Sequence, residues 1–203
     1  LVRREVTRVV SAGTLTDDQV AAIYRGELER WSELGGDDAE IVVVNKAEGR
    51  ATLEVFKEYF GLESPEIQAD VVIGHNEQGV KTVAGNPYAV GYVSIGVAET
   101  DIASGVAIRL LPVAGVEPTV AAVADGSFPL SRPLNLVSNG PPQGLAEAFV
   151  SYCLSEEVHD LVAAQRFAAV PQDLLRTYEA LGVVISMHRQ LCRHLRSHVV
   201  LIL

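Results

Sequence analysis

The chain has 203 residues, 48% of them hydrophobic and 21% charged, with 16 Lys plus Arg against 26 Asp plus Glu and a net charge of −10. That composition suits one full domain or two small lobes with a sizeable core, and it excludes a disordered chain. No apolar run reaches the ~20 residues of a membrane-spanning helix, the two cysteines, Cys153 and Cys192, make no disulfide framework, and the acidic balance disfavours nucleic acid or anionic lipid as a partner. The chain opens on Leu1-Val2-Arg3 without a Met and closes inside the apolar run 199–203, the pattern of a fragment, so the lack of a leader says nothing about compartment.

In chain order, residues 6–10 are short and β-prone. Thr16-Asp17-Asp18-Gln19 supplies a capping box, and Val20, Ile23 and Tyr24 follow as the i, i+3, i+4 stripe of a buried helical face. Glu27, Glu29 and Glu33 around Trp31 read as a solvated helix face. Ile41-Val42-Val43-Val44 is the β-branched run of a strand buried on both faces, and it feeds a polar loop, 46–52, then a helix marked by Leu53, Phe56 and Phe60 and stopped by Gly61. Residues 70–73 form a second strand, followed by a helix through Val80 and Val83 that Asn86-Pro87 ends. Residues 90–96 and 108–111 read as further strands, 118–124 as a short helix and 134–137 as a strand before Gly140-Pro141-Pro142. Leu145, Phe149, Tyr152 and Cys153 share an apolar helical stripe with Cys153 buried in it, and Ser155 caps a helix carrying Val158, Leu161 and Val162. Alternation of strands and helices at this spacing predicts an α/β architecture.

The loop 46–52 is the one chemical candidate in the body of the chain. A loop that enters a helix N-terminus offers unpaired amides and the positive end of the helix dipole to an anion, and Lys46, Arg50 and Thr52 add charge and a hydroxyl. Glu48 repels an anion unless Lys46 or Arg50 engages it, so an orienting ion pair is the role expected of it. An ordinary polar connection has much the same composition. Nucleophilic catalysis finds no support: Ser94 lacks the Gly-x-Ser-x-Gly elbow, and there is no phosphate loop or dinucleotide fingerprint. No cofactor and no catalytic residue is expected. His188, Cys192, His194 and His198 pair at i, i+4, but the two pairs point differently around a helix, so a basic flank beside an apolar segment describes the tail better than a metal site.

Several segments, taken in order, resemble the phosphate-type substrate-binding proteins of ABC transporters. Leu15 to Gly26 with Trp31-Ser32-Glu33-Leu34-Gly35-Gly36 is similar to that family's "LT-x-x-Q…I-F-x-G…N-W-x-x-x-GG" passage, and residues 41–52 are similar to its strand and "R-x-(D/E)-G-S-G-T" loop. Asn86-Pro87-Tyr88-Ala89-Val90-Gly91-Tyr92-Val93 resembles "x-P-G-A-I-G-Y-V". Val116-Glu117-Pro118-Thr119 with Gly126-Ser127-Phe128-Pro129-Leu130-Ser131-Arg132-Pro133-Leu134 resembles "G-V-x-P-T…G-x-Y-P-L-x-R-P-L", and Ala148-Phe149 with Leu154-Ser155-Glu156-Glu157 resembles the closing helix. The likeness runs from about residue 6 to 171.

The resemblance implies a periplasmic binding protein-like fold of type II: two α/β lobes joined by crossover strands, with the first lobe incomplete here. Residues 1–13 are then a crossover strand, 14–112 the second lobe, 113–172 a return to the first lobe, and 173–203 a tail of separate origin. An incomplete lobe would leave apolar faces uncovered. The implied function is capture of a small oxyanion, phosphate first, in the cleft and its delivery to an ABC permease, by a monomer in the periplasm or outside the cell, with or without a lipid anchor. The implied ligand-binding residues are Lys46, Glu48, Gly49, Arg50, Ala51 and Thr52. Against the family loop, Lys46 replaces Arg, Arg50 replaces Ser and Ala51 replaces Gly, so an anion survives the comparison better than phosphate in particular. An alternative is the extracellular sensor of a membrane-anchored receptor, with the basic-then-apolar ending as the start of its transmembrane helix. That ending also reads as the charged start of another protein's signal segment.

Overall fold

The computed structural model describes residues 14–132, 136, 141–165, 167–168, 197–198 and 200–202. Helix α1 (Asp17–Tyr24) begins at the expected capping box: Thr16 Oγ1 accepts the Gln19 amide at 3.2 Å and Gln19 Oε1 accepts the Thr16 amide at 2.9 Å. The Ile-Val run gives strand β1 (Val42–Lys46), and α2 (Ala51–Phe60) follows, ended by Gly61 in a left-handed conformation. Next come β2 (Val71–Ile73), α3 (Asn76–Gly85), β3 (Ala89–Val93), α4 (Ile95–Ala103) and α5 (Val120–Ala124). Strand β4 (Ser131–Arg132), helices α6 (Leu145–Cys153) and α7 (His159–Ala164), and strands β5 (Ser197–His198) and β6 (Val200–Ile202) complete the order.

The main sheet runs β2-β1-β3-β6. Strand β1 pairs parallel with β2 and with β3, β6 pairs antiparallel with β3, and β4 and β5 form a separate antiparallel pair. Register is held by side chains as well as by the ladder, since the Val43 amide donates to Asp70 Oδ2 at 2.8 Å beside the backbone bond from Asp70 N to Val43 O. Every residue of β3 is buried. Gly91 lets the neighbours close in there: a Cβ would stand 3.1 Å from Val44 Cβ and 3.3 Å from Val83 Cγ2, tight enough that these side chains would have to shift.

Beneath the sheet the aromatic rings interlock. Phe56 stacks on Tyr92 at 4.0 Å between centroids and meets Tyr24 at 4.6 Å. Both phenols are satisfied, Tyr24 donating to Val44 O at 3.1 Å and Tyr92 to Asn45 Oδ1 at 2.5 Å, while burial pushes both well above the ordinary tyrosine pKa. Trp31 is fully buried, its indole N–H donating to Tyr88 O at 2.9 Å. The same core takes in Val113, Val123, Phe128 and Leu130, so its packing continues beyond residue 112.

Several expectations need correction. The strand read over 90–96 stops at Val93, and the chain enters α4 at Ser94, whose carbonyl accepts the Val97 and Ala98 amides. Ile95, Gly96, Val97 and Ala98 are all buried, so the first turn of this helix shows no polar face by which periodicity could reveal it. Residues 108–111 make only an isolated bridge at Leu110, because Ile108 and Leu111 turn into the core. Glu29 and Glu33 are not on a helix with Glu27. Helix α1 ends at Tyr24, and Glu33, in the 3-10 turn Trp31–Leu34, accepts the amides of Glu29 and Arg30. Cys153 is half-buried, and the stripe on α6 faces outward, with Leu145 87% and Phe149 59% exposed. Ser155 caps no helix; its hydroxyl donates to Tyr152 O, and the 3-10 turn Glu156–Val158 precedes α7. Residues 6–10 and the strand read over 134–137, apart from Leu136, lie outside the described residues.

Tyr92 ties the core to the end of β1, because its hydroxyl also accepts the Lys46 amide at 3.3 Å. Tyr92→Phe leaves that amide and Asn45 Oδ1 without this partner in the interior. The expected loss is about 1–3 kcal/mol of unfolding free energy, measured by chemical denaturation with an unchanged m-value.

Candidate functional site

Parallel pairing brings the C-terminal ends of β1, β2 and β3 to one edge of the sheet, and each strand there passes at once into a helix. Strand β1 reaches α2 through residues 47–50, β2 reaches α3 through Gly74-His75, and β3 reaches α4 through Ser94 alone. At none of these starts does the residue preceding the helix cap it with its side chain, although Thr16 and Thr119 do so for α1 and α5. In α2 the Arg50 carbonyl takes the Leu53 and Glu54 amides, which leaves those of Ala51 and Thr52 with no acceptor among the described residues. At α3 the Gln78 side chain reaches back, its Oε1 accepting the Gly74 and His75 amides at 2.8 and 3.0 Å. All three helix N-termini point the positive ends of their dipoles at one region.

Lys46, the last residue of β1, is only 3% exposed, and no carboxylate lies within ion-pair distance of it among the described residues. Its ammonium donates to Asn76 Oδ1 at 2.8 Å, and Asn76 Nδ2 donates onward to Ser94 Oγ at 2.8 Å. One chain of hydrogen bonds thus joins the end of β1 to the starts of α3 and α4. Burial lowers the Lys46 pKa to about 8; Glu77 pulls it back up and Arg50 adds to the fall.

The six residues expected at the site all lie on this edge. Gly49 has φ 75°, the left-handed conformation that lets the loop turn from β1 into α2. Arg50 and Ala51 are exposed, Thr52 is half-buried, and the Thr52 hydroxyl has no partner among the described residues. The Arg50 guanidinium extends over Gly74, with Nη2 3.5 Å from where a Cβ on that glycine would stand. The expected ion pair of Glu48 with Lys46 or Arg50 does not form. Glu48 is exposed, whereas Lys46 is drawn under the loop to Asn76, a partner from a different strand-helix connection.

Sequence reasoning missed Asn76 and Ser94. The available signals are Asn76-Glu77-Gln78-Gly79 after a strand and Ser94 before a buried run, and neither pattern by itself points to a partner in another loop. Among the described residues no cluster of three His, Cys, Asp or Glu side chains is placed to hold a metal. His188, Cys192 and His194 lie outside the described residues, and His198 belongs to β5. No helix among the described residues is long and apolar enough to cross a membrane.

A family profile described as the PBP superfamily domain matches residues 6–157. The chain is 26% identical over 168 residues to the phosphate-binding protein PstS of Bacillus subtilis, a match covering 83% of this chain and 54% of that protein. Its identity to PstS of Borreliella burgdorferi is 23% over 164 residues, covering 77% and 58%. Among solved structures, a phosphate ABC transporter substrate-binding protein from Clostridium perfringens with bound phosphate aligns at TM-score 0.65 and 31% identity, over 78% of this chain and 64% of that one. An ABC-type phosphate transport receptor from Vibrio cholerae, at TM-score 0.60 and 24% identity, has the same fold. The chain spans a little over half the length of these curated relatives.

A buried ammonium with one neutral partner costs stability, and the sign follows from its pKa. With about 8 in the folded state against 10.5 in the unfolded one, the cost is complete below about pH 8 and shrinks as pH rises toward 10.5. Lys46→Met is expected to raise unfolding free energy at neutral pH by about 1–3 kcal/mol. Parallel denaturation of both proteins as a function of pH checks that the advantage declines through the alkaline range.

Proposed function

Since this chain belongs to the PBP superfamily, we propose that it is part of the substrate-binding component of an ABC-type importer, capturing a small oxyanion, most readily phosphate, between two lobes. The observation that carries the proposal is the edge where the N-termini of α2, α3 and α4 meet a buried lysine that makes no ion pair among the described residues. Such a surface attracts charge of one sign and performs no bond-breaking step; capture needs oriented donors and closure of a second lobe over them. Arg50, Thr52 and the amides of Ala51 and Thr52 contact the ligand, Gly49 shapes the loop, and Glu48 stays at the rim.

In this reading residues 1–13 are a crossover strand, and the second lobe starts at residue 14. The shared packing of Val113, Val123, Phe128 and Leu130 supports an end near residue 130 rather than 112. The rest, to 172, returns toward the first lobe, and residues 173–203 form the tail. A permease is the partner, and the site of action is the periplasm or cell exterior. The phosphate-binding relatives favour this role over that of a receptor sensor.

Calorimetric titration of the intact protein with inorganic phosphate, sulfate, molybdate and small carboxylates tests the reading. Phosphate is expected to bind. Thr52→Ala and Arg50→Ala are each expected to weaken it about tenfold or more, since each removes a hydrogen bond to a charged group. Affinity unchanged in both variants rules out this loop as the contact surface.

A further inference from the structure

The relay from Lys46 runs through Asn76 to Ser94, both outside the loop 46–52, and its direction is informative. Asn76 is committed at both ends, with Oδ1 accepting from Lys46 Nζ at 2.8 Å and Nδ2 donating to Ser94 Oγ at 2.8 Å. Because Ser94 Oγ accepts from Asn76, its own O–H is left to donate elsewhere. The two bonds fix the amide of Asn76 in one orientation.

We propose that Asn76 is a positioning residue of the anion site, holding the Lys46 ammonium and the Ser94 hydroxyl together at the edge where the N-termini of α2, α3 and α4 meet. The inference rests on the anion-binding reading and adds to it a residue outside the loop 46–52.

Around the Lys46 ammonium stand Asn76 and Glu77 from α3, Arg50 from the loop before α2, and Tyr92 of β3 at its backbone amide. Asn76 supplies a hydrogen bond to the charged form of the lysine, so removing it makes that form harder to keep. The depressed pKa of about 8 already sets where the ammonium is lost as pH rises.

The test is phosphate titration by calorimetry of the intact protein and of Asn76→Ala, Ser94→Ala and the double variant, from neutral to alkaline pH. Asn76→Ala is expected to weaken phosphate about tenfold or more and to move the alkaline loss of affinity to lower pH, which a purely structural role would not do. Ser94→Ala is expected to weaken binding without moving that limb, and the double variant to lose less than the product of the two. Asn76→Ala with parental affinity and limb overturns the relay alone. A parent protein that binds no phosphate overturns the functional reading and this role with it.

Discussion

Parallel pairing of one central strand with both of its neighbours is the constraint from which the candidate site follows. When β2, β1 and β3 point the same way, their exits share an edge, and each exit here is short enough to start a helix at that edge. The N-termini of α2, α3 and α4 then add their free amides and dipoles in one place. No single helix start would make a site. Three together, around the end of a buried strand, concentrate positive potential where the chain as a whole is acidic.

The net charge of −10 and the proposed ligand are compatible for the same reason. Extended polyanions meet the average charge of a surface, whereas a small oxyanion in a recess meets fixed donors a few ångströms away, with less solvent between them. Arg50 fits this picture. It makes no ion pair with Glu48, and Gly74 leaves room for its guanidinium. A long cationic fork of this kind suits the planar, multi-point recognition of an oxyanion.

Lys46 shows the tension between stability and function. A hydrophobic residue at the end of β1 would be cheaper to bury, and Glu77 offsets only part of the burial of the ammonium, from beyond ion-pair distance. Its single neutral partner, Asn76, belongs to the next strand-helix connection, so the lysine is held by the sheet topology rather than by its own loop. Tyr92 fastens the same point from below, through the Lys46 amide, and is itself clamped by Phe56. Core and site therefore share residues.

The sequence alone determined the α/β alternation, the start of α1 and the succession of strand, polar loop and helix from β1 to α2, because hydrophobic periodicity and capping chemistry act over a few neighbouring residues; that β1 runs on to Lys46 and α2 begins at Ala51 came from the structure. The ordered likeness to phosphate-type binding proteins was legible too, since it rested on short contiguous segments. Only the tertiary structure decided that Lys46 turns to Asn76 instead of Glu48, that Ser94 starts a helix, and that Leu145 and Phe149 on α6 face outward. Each of these depends on which distant segment lies beside the residue. Asn76 is 30 residues from Lys46 and 18 from Ser94 along the chain, and only the parallel sheet makes the three neighbours.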